Sequence, residues 1–131
     1  MTTEIGAPAE LVWRYLTADR DEWWPEMQFD PVVGSPLLET WTDDGQRYSA
    51  TGTVTGCVES RLLAFHWIEA SWAQPLDVEI RLTARGKSTA VTLTETGFAL
   101  AQTSPLLPDE HEEGWRHHLS RLARMSETGS I

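Results

Sequence analysis

From Leu76 to Thr83 apolar and polar side chains alternate without a break. Leu76, Val78, Ile80 and Leu82 oppose Asp77, Glu79, Arg81 and Thr83. A period of two marks a strand with one buried and one wet face, as antiparallel sheets have. "RGKS" (85–88) supplies a hairpin turn, and "TAVTLTETGF" (89–98) returns with Val91 and Leu93 on one face and Thr92 and Thr94 on the other. Upstream, "PLLETWT", "RYSATGTVTGCV" and "RLLAFHWIE" read as further strands, separated by the turn signals "DDGQ" and "ES". Trp67, Phe65 and Leu63 share one face by the same period, taken as inward, while His66, Ala64 and Leu62 share the other. Cys57 has the opposite parity to Val54 and Val58.

The period changes at both ends of the chain. "APAELVWRYLT" (7–17) starts a helix, with Pro8 suited to its first turn and Leu11, Val12, Tyr15 and Leu16 at helical spacing. "ADRDEWWPE" reads as a second short helix, stopped by Pro25. "ALAQTSPLLPD" reads as a loop, and Asp109 is placed to cap a long last helix whose first turns carry Glu110, Glu112 and Glu113. At about 100° per residue, His111, Trp115, His118, Leu119, Leu122 and Met125 fall on one stripe of that helix, and His117 falls off it. The helix is therefore a lid with Trp115 as its largest inward ring. Gly114 lowers helix stability by about 1 kcal/mol against alanine, which suggests a close approach to another element there. A short first strand, two short helices, several antiparallel strands and one long C-terminal helix make the fold class α+β.

Composition narrows the functional classes. One domain over residues 1–131 is expected from the length. Twenty acids against ten bases give a net charge of −10. With no basic patch, nucleic acid and anionic membrane surfaces are not expected partners. No run approaches the roughly 18 apolar residues of a membrane span, the N-terminus lacks a signal-peptide pattern, and Cys57 is the single cysteine; a cytoplasmic location is expected. Seven tryptophans must be buried, line a cavity or form a contact surface.

His111 and His118 are seven residues apart, roughly 10 Å along the axis, too far to share one ion. There is no CxxC and no G-x-S-x-G, so neither a metal, a cofactor nor a nucleophilic triad is expected. Glu95 shares the parity of Val91 and Leu93 and should face inward, unless the strand frays before Gly97. An inward carboxyl is costly unless paired or hydrogen-bonded. His118, on the lid stripe, is the partner expected for it. Of Trp23 and Trp24, one should pack inward and the other sit at a cavity mouth. Trp72, in "EASWAQP", is the ring expected to be exposed, where it could form a homodimer patch.

The phrases "APAELVWRYLT", "EWW", "Y…G.V…RLLAFHW", "TAVTLTETGF" and "GWRHHLSRL", in this order, resemble the START-like, polyketide-cyclase-like helix-grip superfamily. The likeness is to its bacterial branch, similar to the activator of heat-shock-protein ATPase, and spans residues 4 to 123. The resemblance implies six or seven antiparallel strands gripping the C-terminal helix, with a cavity between them. Glu95 stands where that family often carries histidine, and only six residues precede Ala7 to form the first strand. The primary expectation is binding of a small hydrophobic or aromatic molecule by Trp24, Trp41, Phe65, Trp67, Glu95, Phe98, Trp115 and His118. One alternative is a cyclase, hydratase or hydrolase with Glu95 and His118 as acid and base. A second, carried only by the family resemblance, is a co-chaperone-like interaction module.

Overall fold

The computed structural model describes residues 1–129. Strand β1 (Thr2–Ile5) leads into α1 (Ala9–Leu16) and a single 3-10 turn at Arg20–Glu22. A meander follows: β2 (Met27–Gln28), β3 (Pro36–Asp43), β4 (Gln46–Val58), β5 (Leu62–Ile68), β6 (Leu76–Arg85) and β7 (Ser88–Thr96). Two helices close the chain, α2 (Phe98–Ala101) and the 22-residue α3 (Leu107–Thr128). All seven strands join one antiparallel sheet in the order β1-β7-β6-β5-β4-β3-β2. This is the helix-grip arrangement, α+β, with α3 lying over the sheet's inner face.

The turns have the chemistry their geometry demands. Asp44 and Gly45 both have positive φ (50° and 76°), as a two-residue hairpin loop of the primed kind requires. Gly86 takes the first central position of the β6–β7 turn with φ 62°. The short β1 is fully paired, from Thr2 opposite Thr92 to Ile5 opposite Thr89. Thr89 Oγ1 also donates to the Ala7 carbonyl at 2.8 Å, so this edge of the sheet is complete.

The expected inward row of β5 is found: Leu63, Phe65 and Trp67 are buried and continue across the sheet to Leu76, Val78, Ile80 and Leu82. Fully burying such a side chain contributes about 1.5–3 kcal/mol, so this face, with α1 and α3 upon it, carries most of the fold's stability. Along α3 the buried residues are Trp115, Leu119, Leu122 and Ser126. His118 is half-buried and His117 exposed, as the helical stripe predicts.

Several local expectations are corrected. The second N-terminal helix shrinks to the one 3-10 turn, because Arg20 turns inward there: its Nε donates to the Met27 carbonyl at 2.6 Å and its Nη1 to Thr17 at 3.2 Å. The register shifts between Val54 and Gly56, so Val54 and Cys57 both lie against the core while Val58 turns out. One extra residue in a strand reverses its parity, which alternation alone does not reveal. The segment after Gly97 is not all loop, since α2 occupies Phe98–Ala101, entered through Gly97 at φ 104°. Helix α3 begins at Leu107, ahead of Asp109, with no side-chain cap; Pro108 fits the first turn, where an amide hydrogen is dispensable, and Asp109 and Glu110 lie in that turn. Among the described residues no helix is long and apolar enough to cross a membrane.

Candidate functional site

The same period of two that builds the core places a glutamate in each of three inward rows. On β3 the row runs Leu37, Glu39, Trp41; on β5 it runs Leu63, Phe65, Trp67 and reaches Glu69 just past the strand; on β7 it runs Val91, Leu93, Glu95. The N-terminal half of α3 lies over these row ends and lowers His111 and Trp115, one turn apart, toward them.

Glu95 is the centre of a buried polar knot. Its side chain is 6% exposed. Its Oε2 accepts the indole N–H of Trp67 at 2.8 Å, and its Oε1 accepts that of Trp115 at 3.1 Å and lies 2.9 Å from His111 Nδ1. Burial pulls the His111 imidazole down, but the Glu95 hydrogen bond and the carboxylates of Glu95, Glu69 and Glu39 more than reverse this, and its pKa rises above the ordinary value. Protonation of His111 is thus favoured in this setting, and the protonated ring donates its Nδ1–H to the carboxylate as an ion pair. The sequence-predicted partner, His118, is not there. His118 instead stacks on Trp24, with centroids 4.2 Å apart and planes 26° apart, because it lies two helical turns beyond His111.

The rings form a continuous packed array. Trp67 stacks against Trp115 at 5.5 Å, Trp24 meets Trp115 edge-on at 5.7 Å, and Phe65 meets Trp67 at 5.3 Å. Trp115 is thus packed against Trp24 and Trp67. The space lies beside the array, in a cavity of about 500 Å³. Its aromatic walls are Trp41, Tyr48, Trp67, Trp72, Trp115 and His118, with Trp41 stacked on Tyr48 across the β3–β4 pair. Glu39, Asp43, Glu69, Glu110 and His111 supply its ionisable groups, and Ala50, Leu107 and Gly114 complete the lining.

Of the residues singled out in the sequence, Trp41, Trp67, Trp115 and His118 border this cavity. Trp24 stands behind His118 and donates its indole N–H to Glu39 Oε2 at 3.0 Å. Phe65, 1% exposed, is core behind Trp67 and does not reach the cavity. Glu95 and Phe98 border a separate cleft of about 210 Å³ on the other side of Trp115. Trp72, expected outside, is buried at 9% exposure beside His111, so it offers no exposed dimer patch. Gly114 is not a point of close approach: a Cβ there meets no other atom within 4 Å among the described residues. The glycine leaves space in the cavity wall.

Burial sets the protonation of the remaining groups. Glu39, despite the hydrogen bond from Trp24, is pushed up to about 7. Burial also raises Glu69, with His111 opposing it. His118 is pushed down to about 4 by burial, with smaller contributions from His117 and Arg121, and is neutral at ordinary pH. Its Nδ1 is buried without a hydrogen-bond partner among the described residues.

Glu39, Glu69, His111, Tyr48 and Trp72 were not singled out as site residues by sequence reasoning. The signal for Glu39 and Glu69 was present, since each continues the parity of an inward row. For His111 it was the i, i+4 spacing to Trp115, which places both over one acceptor. Trp72 lies in a loop and carries no periodic signal. Among the described residues, no group of three or more His, Cys, Asp or Glu could hold a metal ion.

Comparison with solved structures finds the same fold. The Aha1 dimer from Colwellia psychrerythraea is 20% identical with TM-score 0.75, covering 100% of this chain and 96% of that one. CalU16 from Micromonospora echinospora is 23% identical with TM-score 0.73, covering 97% of this chain and 74% of that one. The Zhui aromatase/cyclase from Streptomyces sp. R1128 is 18% identical with TM-score 0.71, covering 97% and 91%. A comparison with curated proteins finds no match. The family model described as Activator of Hsp90 ATPase homolog 1-like protein matches residues 6–127. With that match over nearly the whole chain, and with the seven-stranded sheet and its long C-terminal helix in place, the protein belongs to the Activator of Hsp90 ATPase homolog 1-like family, within the START-like helix-grip superfamily.

Proposed function

We propose that the chain is a binding protein for a small molecule with an apolar or aromatic body, held in the cavity between α3 and the sheet, with no reaction assigned. The observation that carries this reading is the cavity of about 500 Å³ walled by the rings of Trp41, Tyr48, Trp67, Trp72 and Trp115. Sites for small molecules have this size and aromatic walls of this kind. The fold is shared with an aromatase/cyclase, which supports the reading by analogy only. An acid/base role for Glu95 with His118 loses its geometric basis, because Glu95 is occupied by His111 and two indoles. The same reading takes the chain as a cytoplasmic, single-domain protein. A homodimer is its companion proposal, supported by the dimer described for the Colwellia relative and checked by light scattering of the purified chain.

Gly114→Phe tests the cavity. A large side chain at this open position should occupy the space while removing a helical glycine, leaving stability unchanged or higher by a few tenths of a kcal/mol. Titration with the neutral dye N-phenyl-1-naphthylamine should show binding to the parent chain and at least about tenfold weaker binding to the variant. Absence of dye binding to the parent, or equal binding to both, would sink the proposal.

A further inference from the structure

We infer that the cavity takes an organic cation, a protonated amine or quaternary ammonium group carried on an apolar or aromatic body. This rests on the binding reading above and adds the charge of the ligand to it. Two independent features of the wall point the same way. The first is aromatic: Trp41, Tyr48, Trp67, Trp72 and Trp115 border one space, and ring faces attract cations, tryptophan best of all. The second is the balance of charge. Glu39, Glu69, Asp43 and Glu110 line the same space, and among the described residues no Lys or Arg side chain does.

His111, the wall imidazole whose protonation is favoured, is paired with Glu95 at 2.9 Å. Glu39 receives only a neutral indole N–H, from Trp24. Among the described residues none of the four acids has a salt-bridge partner, and His111 acts on Glu39 and Glu69 only at longer range. A ligand ammonium would complete them, and its apolar body would lie against the rings. An anionic ligand would meet four acids, and a neutral one would pack on the rings but forgo the cation–π and carboxylate attraction.

The titration of Glu39 gives the inference a second handle. Burial holds it at about 7, and the groups facing it are Glu26 beside β2, His111 on α3, Glu69 after β5 and the Trp24 indole. A cation arriving beside it favours the ionised form, so binding near neutrality should release a proton.

The test is calorimetric titration of the full chain near pH 7 with three matched probes: 2-naphthylmethylammonium, 2-naphthylmethanol and 2-naphthoate. The ammonium should bind at least about tenfold tighter than the alcohol, and the naphthoate weakest of the three. Repeating the ammonium titration in buffers of different ionisation enthalpy should reveal proton release that the alcohol does not cause. In the double variant Glu39→Gln, Glu69→Gln, the ratio between ammonium and alcohol affinities should fall to about threefold or less, with circular dichroism confirming the fold. If alcohol or naphthoate binds as tightly as the ammonium, or if the glutamine variant keeps the full ammonium advantage, the cation inference is overturned while the cavity reading stands. If none of the three binds, both are overturned.

Discussion

Glu95→Ala should lower stability by about 3–5 kcal/mol, because one truncation strands three buried donors at once. The indole N–H groups of Trp67 and Trp115 and the imidazole of His111 all converge on this carboxylate. Removing it takes away the acceptor that all three share, and leaves His111 beside the rings of Phe98 and Trp72. For a chain of this length the melting temperature should drop on the order of 10 °C or more in a thermal scan. Glu95→Gln should cost less, since an amide oxygen still accepts from one indole.

The conservative Glu95→Gln change also separates charge from shape. His111 is raised because its hydrogen bond and its neighbouring carboxylates outweigh burial. The stability this contributes is fully present below the ordinary imidazole pKa and is lost as pH rises through the higher folded value. In Glu95→Gln the His111 titration, followed by NMR, should move down. An unchanged His111 pKa would show that Glu69 and Glu39 alone sustain it.

A second large effect is expected on the acid side. His118 is held neutral, at about 4, against an ordinary value of 6.5. A group whose folded pKa is depressed contributes stability that is present above the unfolded pKa and lost as pH falls through the folded one. Between pH 6.5 and about 4 the protein should therefore lose up to roughly 3 kcal/mol through this side chain alone. His118→Phe keeps a flat ring against Trp24 and removes the unpartnered Nδ1. Denaturant melts should find this variant more stable than the parent by about 1 kcal/mol or more near neutrality, with a wider gap at acid pH. A parent and variant with parallel pH profiles would show that His118 protonates without resistance.

Glu39 opposes His118 across the pH range. Its raised pKa contributes stability below the ordinary carboxyl value, lost as pH rises through about 7. A buried carboxyl that ionises near neutrality without a salt-bridge partner weakens the empty fold, and that cost is the one a bound cation would relieve.

The rows of alternating residues made β6, β7 and the face of β5 legible, because antiparallel strands with one wet side write their burial directly into the chain. The stripe of α3 was legible for the same reason at the helical period: it separated His118 from His117 correctly. Glu95 was recognised as inward by parity. Its partner was misassigned because the choice between His111 and His118 depends on where along its axis the helix crosses the sheet, and both lie on the same stripe. Trp72 was misjudged because loop residues have no period, and its burial follows from packing beside His111. The bulge in β4 reversed the expected parity beyond Val54.

By itself, then, the sequence determined the class of fold, the order of its elements, the inward face of its main strands and the resemblance that names its family. Each of these depends on local spacing, which the covalent chain carries. Tertiary structure alone decided which side chains share a space. It joined Glu95 to His111, packed the tryptophans beneath α3 into contact and left the open volume beside them, among Glu39, Glu69 and Trp41. The crossing of the helix over the sheet sets those distances, and that crossing is fixed by all the packed side chains together, so no single stretch of the chain encodes it.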